Sequence, residues 1–456
     1  MKRRSKVPAL KELIGQETGN LMDIMHKALP EALRMDRYLS WQELRHRKAP
    51  DGMSTGQWWL GLKLHRTQAR QSVALCNAKG EPFHFASTQL IQQYLHKIDR
   101  ASGTMLMTDA NAVFSVTERD KYLLTSLAEE AIMSSMLEGA VVTRSEAREL
   151  IRSNRRPKDE HEQMVMNNYR TMRMILQHKD EPLTPEFIMS LHRSMVEGTL
   201  KKPERAGTLR QAEDKVYIED TRTGDIIHMP PASDKLAERL ESLCRFANDE
   251  GKEEYYIHPI VRAIILHFQL AYDHPFVDGN GRTARSLFYW SMLHSGYWLF
   301  EYISISREIY RHSRSYYESF LNTEEDENDL NYFIIDQLKT ILASIESLNE
   351  HLRDKQKIQE KLRYSLSGFT HLNHRQKNVL LHFLQHPNAY TSVSLHCGEY
   401  KVVRQTARTD LTGLEALGFL VSELISREFI FKPVPDLEKM LNSLIDQKWP
   451  LSANDG

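Results

Sequence analysis

The sequence predicts a mainly α-helical protein of three parts, and three observations carry that prediction. Apolar residues recur three and four apart through the middle of the chain, as in Leu123, Leu124, Leu127 and Ala131 and again in Val261, Ile264, Ile265 and Phe268. No Pro or Gly occurs between Gly296 and Gly368, which leaves room for long uninterrupted helices. One β-like passage, at residues 216–229, interrupts this pattern, and a short helical module with two closing apolar segments follows at residues 372–436. A chain of 456 residues has material for about three domains.

Residues 1–110 form an N-terminal helical accessory region. Leu10, Leu13, Leu21 and Ile24 suggest helix, and Trp41, Trp58 and Trp59 suggest packing on either side of a loop near Asp51-Gly52. The region shows no chemistry of its own. Residues 111–345 are the expected core. A helix opens near Thr117 and closes at Gly139, with Ser134 and Glu138 four apart on one face. Thr184-Pro185 starts another, since Thr can cap and Pro is tolerated in the first turn. Between residues 207 and 231, Val216-Tyr217-Ile218-Glu219 and Asp225–Met229 flank the polar turn Thr221–Gly224, and Pro230-Pro231 ends the unit: a hairpin. Pro259 suits a helix start. The run Leu287–Phe300 contains Ser291, His294 and Ser295 and falls short of the roughly 18 apolar residues of a membrane span, so it reads as a buried helix.

Phe333, Ile334, Leu338, Ile341, Leu342 and Ile345 make a helical stripe that fades into the charged stretch His351–Arg363, a semi-rigid linker over 346–371. Residues 372–436 read as a winged helix. Val379, Leu380, Phe383 and Leu384 mark a first helix, Thr391 is positioned to cap a second, and Val403, Ala407, Leu411, Leu414 and Leu417 mark a third that ends at Gly418. Phe419–Val421 and Phe429–Phe431 form the wing, and 437–456 is a tail. The third helix offers Lys401, Arg404, Gln405 and Arg408 to a groove of DNA. Residues 371–433 carry seven Lys or Arg against five Asp or Glu, a net of only +2, so DNA binding and protein contact both stay open.

Net charge of −1 and a pI near 7.1 argue against a nucleic-acid coat or a membrane-surface protein. The three cysteines, Cys76, Cys244 and Cys397, follow no metal-ligand spacing and fit a reducing, cytoplasmic setting. Met-Lys-Arg-Arg at the start is followed by no apolar segment before Lys11, so no secretion signal is read.

The chemistry concentrates in His274-Pro-Phe-Val-Asp-Gly-Asn-Gly-Arg-Thr-Ala-Arg285. Gly279 and Gly281 tolerate positive φ, so amides around Asn280 can turn inward as an anion-binding concavity, reinforced by any helix starting there. Arg282 and Arg285 then share a face, with guanidinium forks matched to phosphate oxygens. Asp278 sits where a carboxylate and phosphates together hold Mg²⁺. His274, with an ordinary pKa near about 6.5, suits proton abstraction from a hydroxyl. The same glycines fit G-x-G-x-x-A, but helical spacing precedes them where a dinucleotide site needs a strand, and Glu301 stands in no alternating strand and helix pattern. No P-loop sequence occurs.

This string resembles the signature of the Fic protein family, H-x-F-x-[D/E]-G-N-G-R-x-x-R, with every specified position filled. The resemblance implies a helical Fic-type core that moves AMP from ATP to a Ser, Thr or Tyr hydroxyl of a target protein, or of the protein itself. It implies His274 as general base, Asp278 toward Mg²⁺, Gly279, Asn280, Gly281 and Arg282 toward the phosphates, and Arg285 toward the γ-phosphate. The hairpin preceded by Gly207-Thr-Leu-Arg210 becomes a flap whose edge, Val216 to Glu219, takes an extended target segment. Tyr316-Tyr317 resembles the aromatic pair beside adenine. Ser134-x-x-x-Glu138-Gly139 resembles an inhibitory motif whose Glu pairs with Arg285. Removal of AMP, with Glu138 orienting a water, stays open, as do a homodimer and a DNA-binding regulator with a nucleotide-sensing core.

Overall fold

The computed structural model describes residues 4–446 apart from 17–19, 51, 108–115, 220–223, 225, 249–254, 368, 370, 386–388 and 426–427. Among them lie nineteen α-helices: α1 Leu10–Gln16, α2 Leu21–Ala32, α3 Trp41–Leu44, α4 Thr55–Ala69, α5 Gln89–Met107, α6 Val116–Leu137, α7 Arg144–Ser153, α8 Glu160–Gln177, α9 Pro185–Val196, α10 Leu236–Ala247, α11 Pro259–Asp273, α12 Asn280–His294, α13 Ile305–Arg311, α14 Ser313–Glu325, α15 Asn331–Ser367, α16 His374–Gln385, α17 Val393–Tyr400, α18 Arg404–Ala416 and α19 Leu437–Asp446. Strands are few: β1 Arg70–Cys76 with β2 Pro82–Ala86, β3 Ile218–Glu219 with β4 Ile226–His228, and β5 Thr391–Ser392, β6 Leu420–Ile425 and β7 Glu428–Pro433 in the order β5-β7-β6. The chain divides into two compact units, residues 1–348 and 349–456.

The N-terminal region corrects the helical expectation, because β1 and β2 pair antiparallel within it, from Arg70↔Ala86 to Cys76↔Pro82. It also belongs to the same unit as the core. Lys63 of α4 and Asp326 are both buried and pair at 2.7 Å; burial would lower the Lys63 pKa, but Asp326 and Glu327 outweigh it and raise the value. The Asn331 side chain closes on both backbone groups of Ala86, donating to its carbonyl and accepting from its amide. Trp58 and Trp59 bury against Leu13, Ile24 and Leu39. These bonds make the region a wall of the core rather than a free module. Asp51 lies outside the described residues.

Local signals account for the core helices. Thr184 caps α9 by accepting from the Phe187 amide, with Pro185 in the first turn, and Pro259 opens α11. Gly139, at φ +90°, ends the segment after α6. α11 and α12 pack together, and the 274–279 loop joins their ends. Val261, Ile264, Ile265 and Phe268 on one side and Leu287, Phe288 and Trp290 on the other are at most 1 % exposed. Burying side chains of this size stabilises the pair by about 1.5–3 kcal/mol each. No helix of the described residues is long and apolar enough to cross a membrane.

In the second unit three helices and a hairpin follow one another around Leu380, Phe383, Leu411, Leu414, Phe419 and Phe431. Three details differ from expectation. Ser392, not Thr391, caps α17, because Thr391 is engaged in β5. The hairpin strands are six residues each, longer than the apolar cores that marked them. The expected tail begins as helix α19, whose Leu437 and Leu441 complete the core; residues 447–456 lie outside the described ones.

Candidate active site

Helix α11 ends at Asp273, and His274 follows in the left-handed region at φ 45°, ψ 56°, an uncommon place for a residue with a Cβ. Its amide still donates to the Leu270 carbonyl at 3.1 Å, so the turn is held. Its Nδ1 lies 3.2 Å from the Ala271 carbonyl, which can only accept. Nδ1 therefore carries the hydrogen, and Nε2 keeps its lone pair. Burial lowers the His274 pKa, which keeps the ring neutral and basic near pH 7.

The loop after His274 is closed by its own side chains. Asn280 Oδ1 accepts from the Phe276 amide at 2.9 Å, and its Nδ2 donates to the Phe276 carbonyl at 2.8 Å. Asn280 is 2 % exposed and its side chain is committed to the loop, which leaves its backbone N–H as the group for a phosphate, in keeping with the expected concavity of amides around it. Gly279 sits at φ +78° as the N-cap of α12, and a Cβ there would lie 2.7 Å from Val196 Cγ1, so the close approach of α9 demands glycine.

His192 of α9, which no sequence motif marked, supports the loop from beneath. Its ring stacks on Phe276 at 3.7 Å between centroids. Its Nδ1 accepts from the Gly207 amide at 3.0 Å, so the opposite nitrogen is protonated and donates to the Asp278 carbonyl at 2.9 Å. Burial pushes its pKa down to about 4. Arg210 works from the other side. Its Nε donates to the His274 carbonyl at 2.8 Å, its amide to the Pro275 carbonyl at 2.9 Å, and a terminal nitrogen to the Pro231 carbonyl. Arg210 thus fastens both ends of the 207–231 segment to the loop.

That segment is a smaller hairpin than the sequence suggested. Val216 and Tyr217 precede the strands, because pairing is limited to Ile218↔His228 and Glu219↔Ile226; residues 221–223 of the turn lie outside the described residues. Tyr217, Ile226 and Met229 are exposed. His228 anchors the strand: its Nδ1 lies 2.8 Å from Glu324 Oε2 and its Nε2 2.7 Å from the Tyr272 carbonyl. Both partners are acceptors, so both nitrogens donate. Burial would lower its pKa, but the hydrogen bond and charge of Glu324, the Tyr272 carbonyl and the charge of Asp273 together outweigh it and raise the value.

Two arginines of α12 face the loop from within. Arg282 is 1 % exposed and donates to the Met195 carbonyl at 3.2 Å, while its buried Nε has no hydrogen-bond partner. Arg285 is held by the end of α6 and the residue after it: Nε donates to Ser134 Oγ at 2.9 Å, and Nη2 to the Ser134 carbonyl at 3.1 Å and to Glu138 Oε1 at 2.9 Å. Burial alone would lower its pKa, yet Glu138 outweighs that and raises it. The Glu138 carboxylate lies on the glycine loop itself, since a Cβ built at Gly281 would collide with it. One turn before Ser134, buried Glu130 accepts from Tyr289 Oη and Ser304 Oγ at 2.8 Å each and from the Ser306 amide at 3.0 Å. Glu130, Ser134 and Glu138 recur every four residues, so one face of α6 is bolted to the core and carries the carboxylate to the loop. Glu130 is the site residue that the spacing could have revealed.

Asp278 has a 60 % exposed side chain whose Oδ1 accepts from the Gly279 amide at 2.6 Å and whose Oδ2 lies 3.7 Å from Arg282 Nη2. Among the described residues no group of three or more His, Cys, Asp or Glu side chains could hold a metal ion. One solvent-facing carboxylate beside a phosphate-binding loop nevertheless fits Mg²⁺, which takes one or two carboxylates and completes its shell with phosphates and water. Tyr316 is buried, its ring 5.3 Å from that of Tyr317 in an edge-on pair, and its hydroxyl lies 2.9 Å from His267 Nε2. Tyr317 is 46 % exposed, and both Glu138 and Arg285 act on it electrostatically.

The Fic/DOC family model matches residues 182–292, which include His192, Gly207, Arg210 and the whole 274–285 loop. The chain is 26 % identical to a protein adenylyltransferase Fic of Nematostella vectensis over 217 residues, 46 % of each chain. It is 32 % identical to the protein of that name from Drosophila melanogaster over 115 residues, 25 % of this chain and 21 % of that one. It thus spans less than half the length of these relatives. A solved Fic family protein from Desulfovibrio desulfuricans G20 has a similar fold, with a TM-score of 0.50 at 17 % identity over 76 % of this chain and 97 % of that one.

Proposed function

Because the chain carries a domain of the Fic/DOC family, we propose that it is a protein adenylyltransferase that moves AMP from ATP to a Ser, Thr or Tyr hydroxyl and is held in check by Glu138. The observation that carries this reading is the joint placement of His274, whose Nδ1 bonds the Ala271 carbonyl and leaves Nε2 as the basic nitrogen, a glycine loop that opens helix α12, and Arg285 already engaged by a carboxylate that lies on that loop.

His274 Nε2 takes the proton of the acceptor hydroxyl as its oxygen bonds to the α-phosphorus. The bond from that phosphorus to the bridging oxygen breaks, and pyrophosphate leaves. Loop amides at the start of α12 and the Arg282 guanidinium stabilise charge on the phosphate oxygens. Asp278 would hold Mg²⁺, which supplies charge neutralisation at the polyphosphate. Tyr317 flanks the base, and the β3 edge receives the target backbone. While Glu138 occupies Arg285, the γ-phosphate lacks its guanidinium and ATP adopts a pose unsuited to transfer.

Incubation with ATP labelled on the α- or the γ-phosphate tests the reaction. Protein-bound label from the α-position alone is expected; γ-label on protein would make this a kinase instead. A second reading, removal of AMP, is favoured by one feature: among the described residues Glu138 Oε1, not Oε2, bonds Arg285, so Oε2 can orient a water near the loop. Release of AMP from pre-labelled protein would distinguish the two. The second unit would act as a winged helix in target or DNA binding, with Arg404, Gln405 and Arg408 exposed on α18. Retention of duplex DNA that weakens steeply with salt would favour DNA.

A further inference from the structure

A cavity of about 940 Å³ opens between the segment around α3 and the helices α14 and α15, and Tyr317 lines it. One aromatic residue is therefore shared by this cavity and the proposed base site. Three acids line the wall, and each has an internal partner. Glu43 closes a capping box with Ser40, Glu318 pairs with Arg314 at 2.8 Å, and Asp336 accepts from Ser315. Arg4 is likewise engaged, with its guanidinium on Glu325 and Asn322.

The remaining cations differ. Arg45 and His46 on one wall and Lys339 on the other make no ion pair or side-chain hydrogen bond among the described residues. Arg45 opens an exposed run, Arg45-His46-Arg47-Lys48, in which no side chain is paired among the described residues. Two elements remote in sequence thus bring unpaired positive charge to one concave, polar space, in a chain whose net charge is only −1. Exposed cations are ordinary on a surface. Here Arg45 with the adjoining Arg47 and Lys48, together with Lys339, outnumber Glu43 and Asp336, the two lining carboxylates that bond to hydroxyl or backbone groups rather than to a cation. That local excess of positive charge favours an anion.

We propose that this cavity docks an acidic segment of the protein that is to be modified. The proposal rests on the adenylyltransferase reading, because the partner that gains from being held beside the nucleotide site is the acceptor protein. A peptide fits better than a nucleic acid. Its carboxylates can be spaced to meet Arg45 and Lys339, whereas a continuous phosphate backbone would pass the carboxylates of Glu43, Glu318 and Asp336, and the cavity offers no row of exposed aromatic faces for stacking bases.

The test uses the full chain, a fluorescent dodecapeptide rich in Glu and Asp, and fluorescence anisotropy at low salt. Saturable binding is expected that weakens as salt rises and is at least about tenfold weaker in Arg45→Glu/Lys339→Glu. Arg45→Gln and Lys339→Gln, each checked by circular dichroism, give a milder loss if the double variant is poorly folded. Self-labelling from α-labelled ATP in a Glu138→Gly background should be unchanged by the two charge reversals, which separates failure of docking from failure of the chemistry. No peptide binding by the wild type, equal binding by the double variant, or binding of duplex DNA but not of peptide would each overturn the proposal.

Discussion

The 274–285 loop and the 207–231 hairpin lie side by side and are built in opposite ways. Within the loop, Asn280 locks Phe276, His192 holds the Asp278 carbonyl, Arg210 holds the His274 carbonyl, and Val196 leaves no room for a Cβ at Gly279. The hairpin is secured at its base by Arg210 and His228, whereas among the described residues its ladder consists of two residue pairs, one of them at His228, and Tyr217 and Ile226 face solvent. On the proposed function, atoms that would meet a phosphate are over-determined, and atoms that would meet a variable protein chain are held more loosely. The proposed brake belongs to the first kind, since α6 and the Glu138 that follows it reach the loop through the same sort of buried polar network.

The largest effect expected from breaking the loop side is at the base. His274→Ala should reduce transfer by about 10²- to 10⁴-fold while ATP affinity, followed by calorimetry, changes little. Near-normal labelling by that variant would remove His274 from the mechanism. Next is Asn280→Ala, which leaves the amide and carbonyl of Phe276 without partners; each buried unsatisfied group costs about 1–3 kcal/mol, so a lower melting temperature and loss of transfer should come together. An unchanged melting curve would mean that water replaces the side chain.

Acid should separate the two regions further. His274 is depressed by burial, so the acid limb of the rate profile should fall below pH 6.5, the ordinary histidine value. His192 takes up a proton in the unfolded chain at about pH 6.5 but in the folded one only near pH 4. The unfolded state then binds more protons across that window, and the loop's stability should fall as pH drops through it. His228 has the opposite sign: its raised pKa stabilises the hairpin anchor at low pH, and that contribution is lost as pH rises through the folded value. Denaturation followed at several pH values, with His192→Gln as a control, checks the first; a midpoint that is flat between pH 6.5 and 4 would refute it. The smallest structural effect is expected at the hairpin surface, where Ile226→Ala should stay within about 0.5 kcal/mol of wild type in stability. Any loss there should appear in KM for the target rather than in self-labelling; a large stability change would mean that the hairpin tip is packed.

The same contrast explains what the sequence disclosed. The loop was legible because phosphate chemistry demands particular residue types within twelve consecutive positions, and the helices because burial imposes a 3.6-residue period. The part played by the Asn280 side chain was not legible: it shapes the turn by bonding both backbone groups of Phe276, which residue type alone does not disclose. His192 and Glu324 stayed hidden, since each acts through a partner far along the chain and a lone His or Glu on a helix has no local signature. The β1–β2 pair was missed for a similar reason. Its edge is completed by Asp329 and Asn331, contacts that no window of neighbouring residues contains.

The central claim is that the Glu138 carboxylate on Gly281 and Arg285 restrains transfer, and its most direct test is self-labelling with α-labelled ATP in Glu138→Gly, Glu138→Asp, Arg285→Ala and the Glu138→Gly/Arg285→Ala double variant. A charge-assisted bond contributes about 1.5–3 kcal/mol, so Glu138→Gly should label on the order of ten- to a hundredfold faster than wild type. Glu138→Asp should show part of that gain, and both variants lacking Arg285 should stay inactive. A folded Glu138→Gly that labels no faster than wild type would contradict the account.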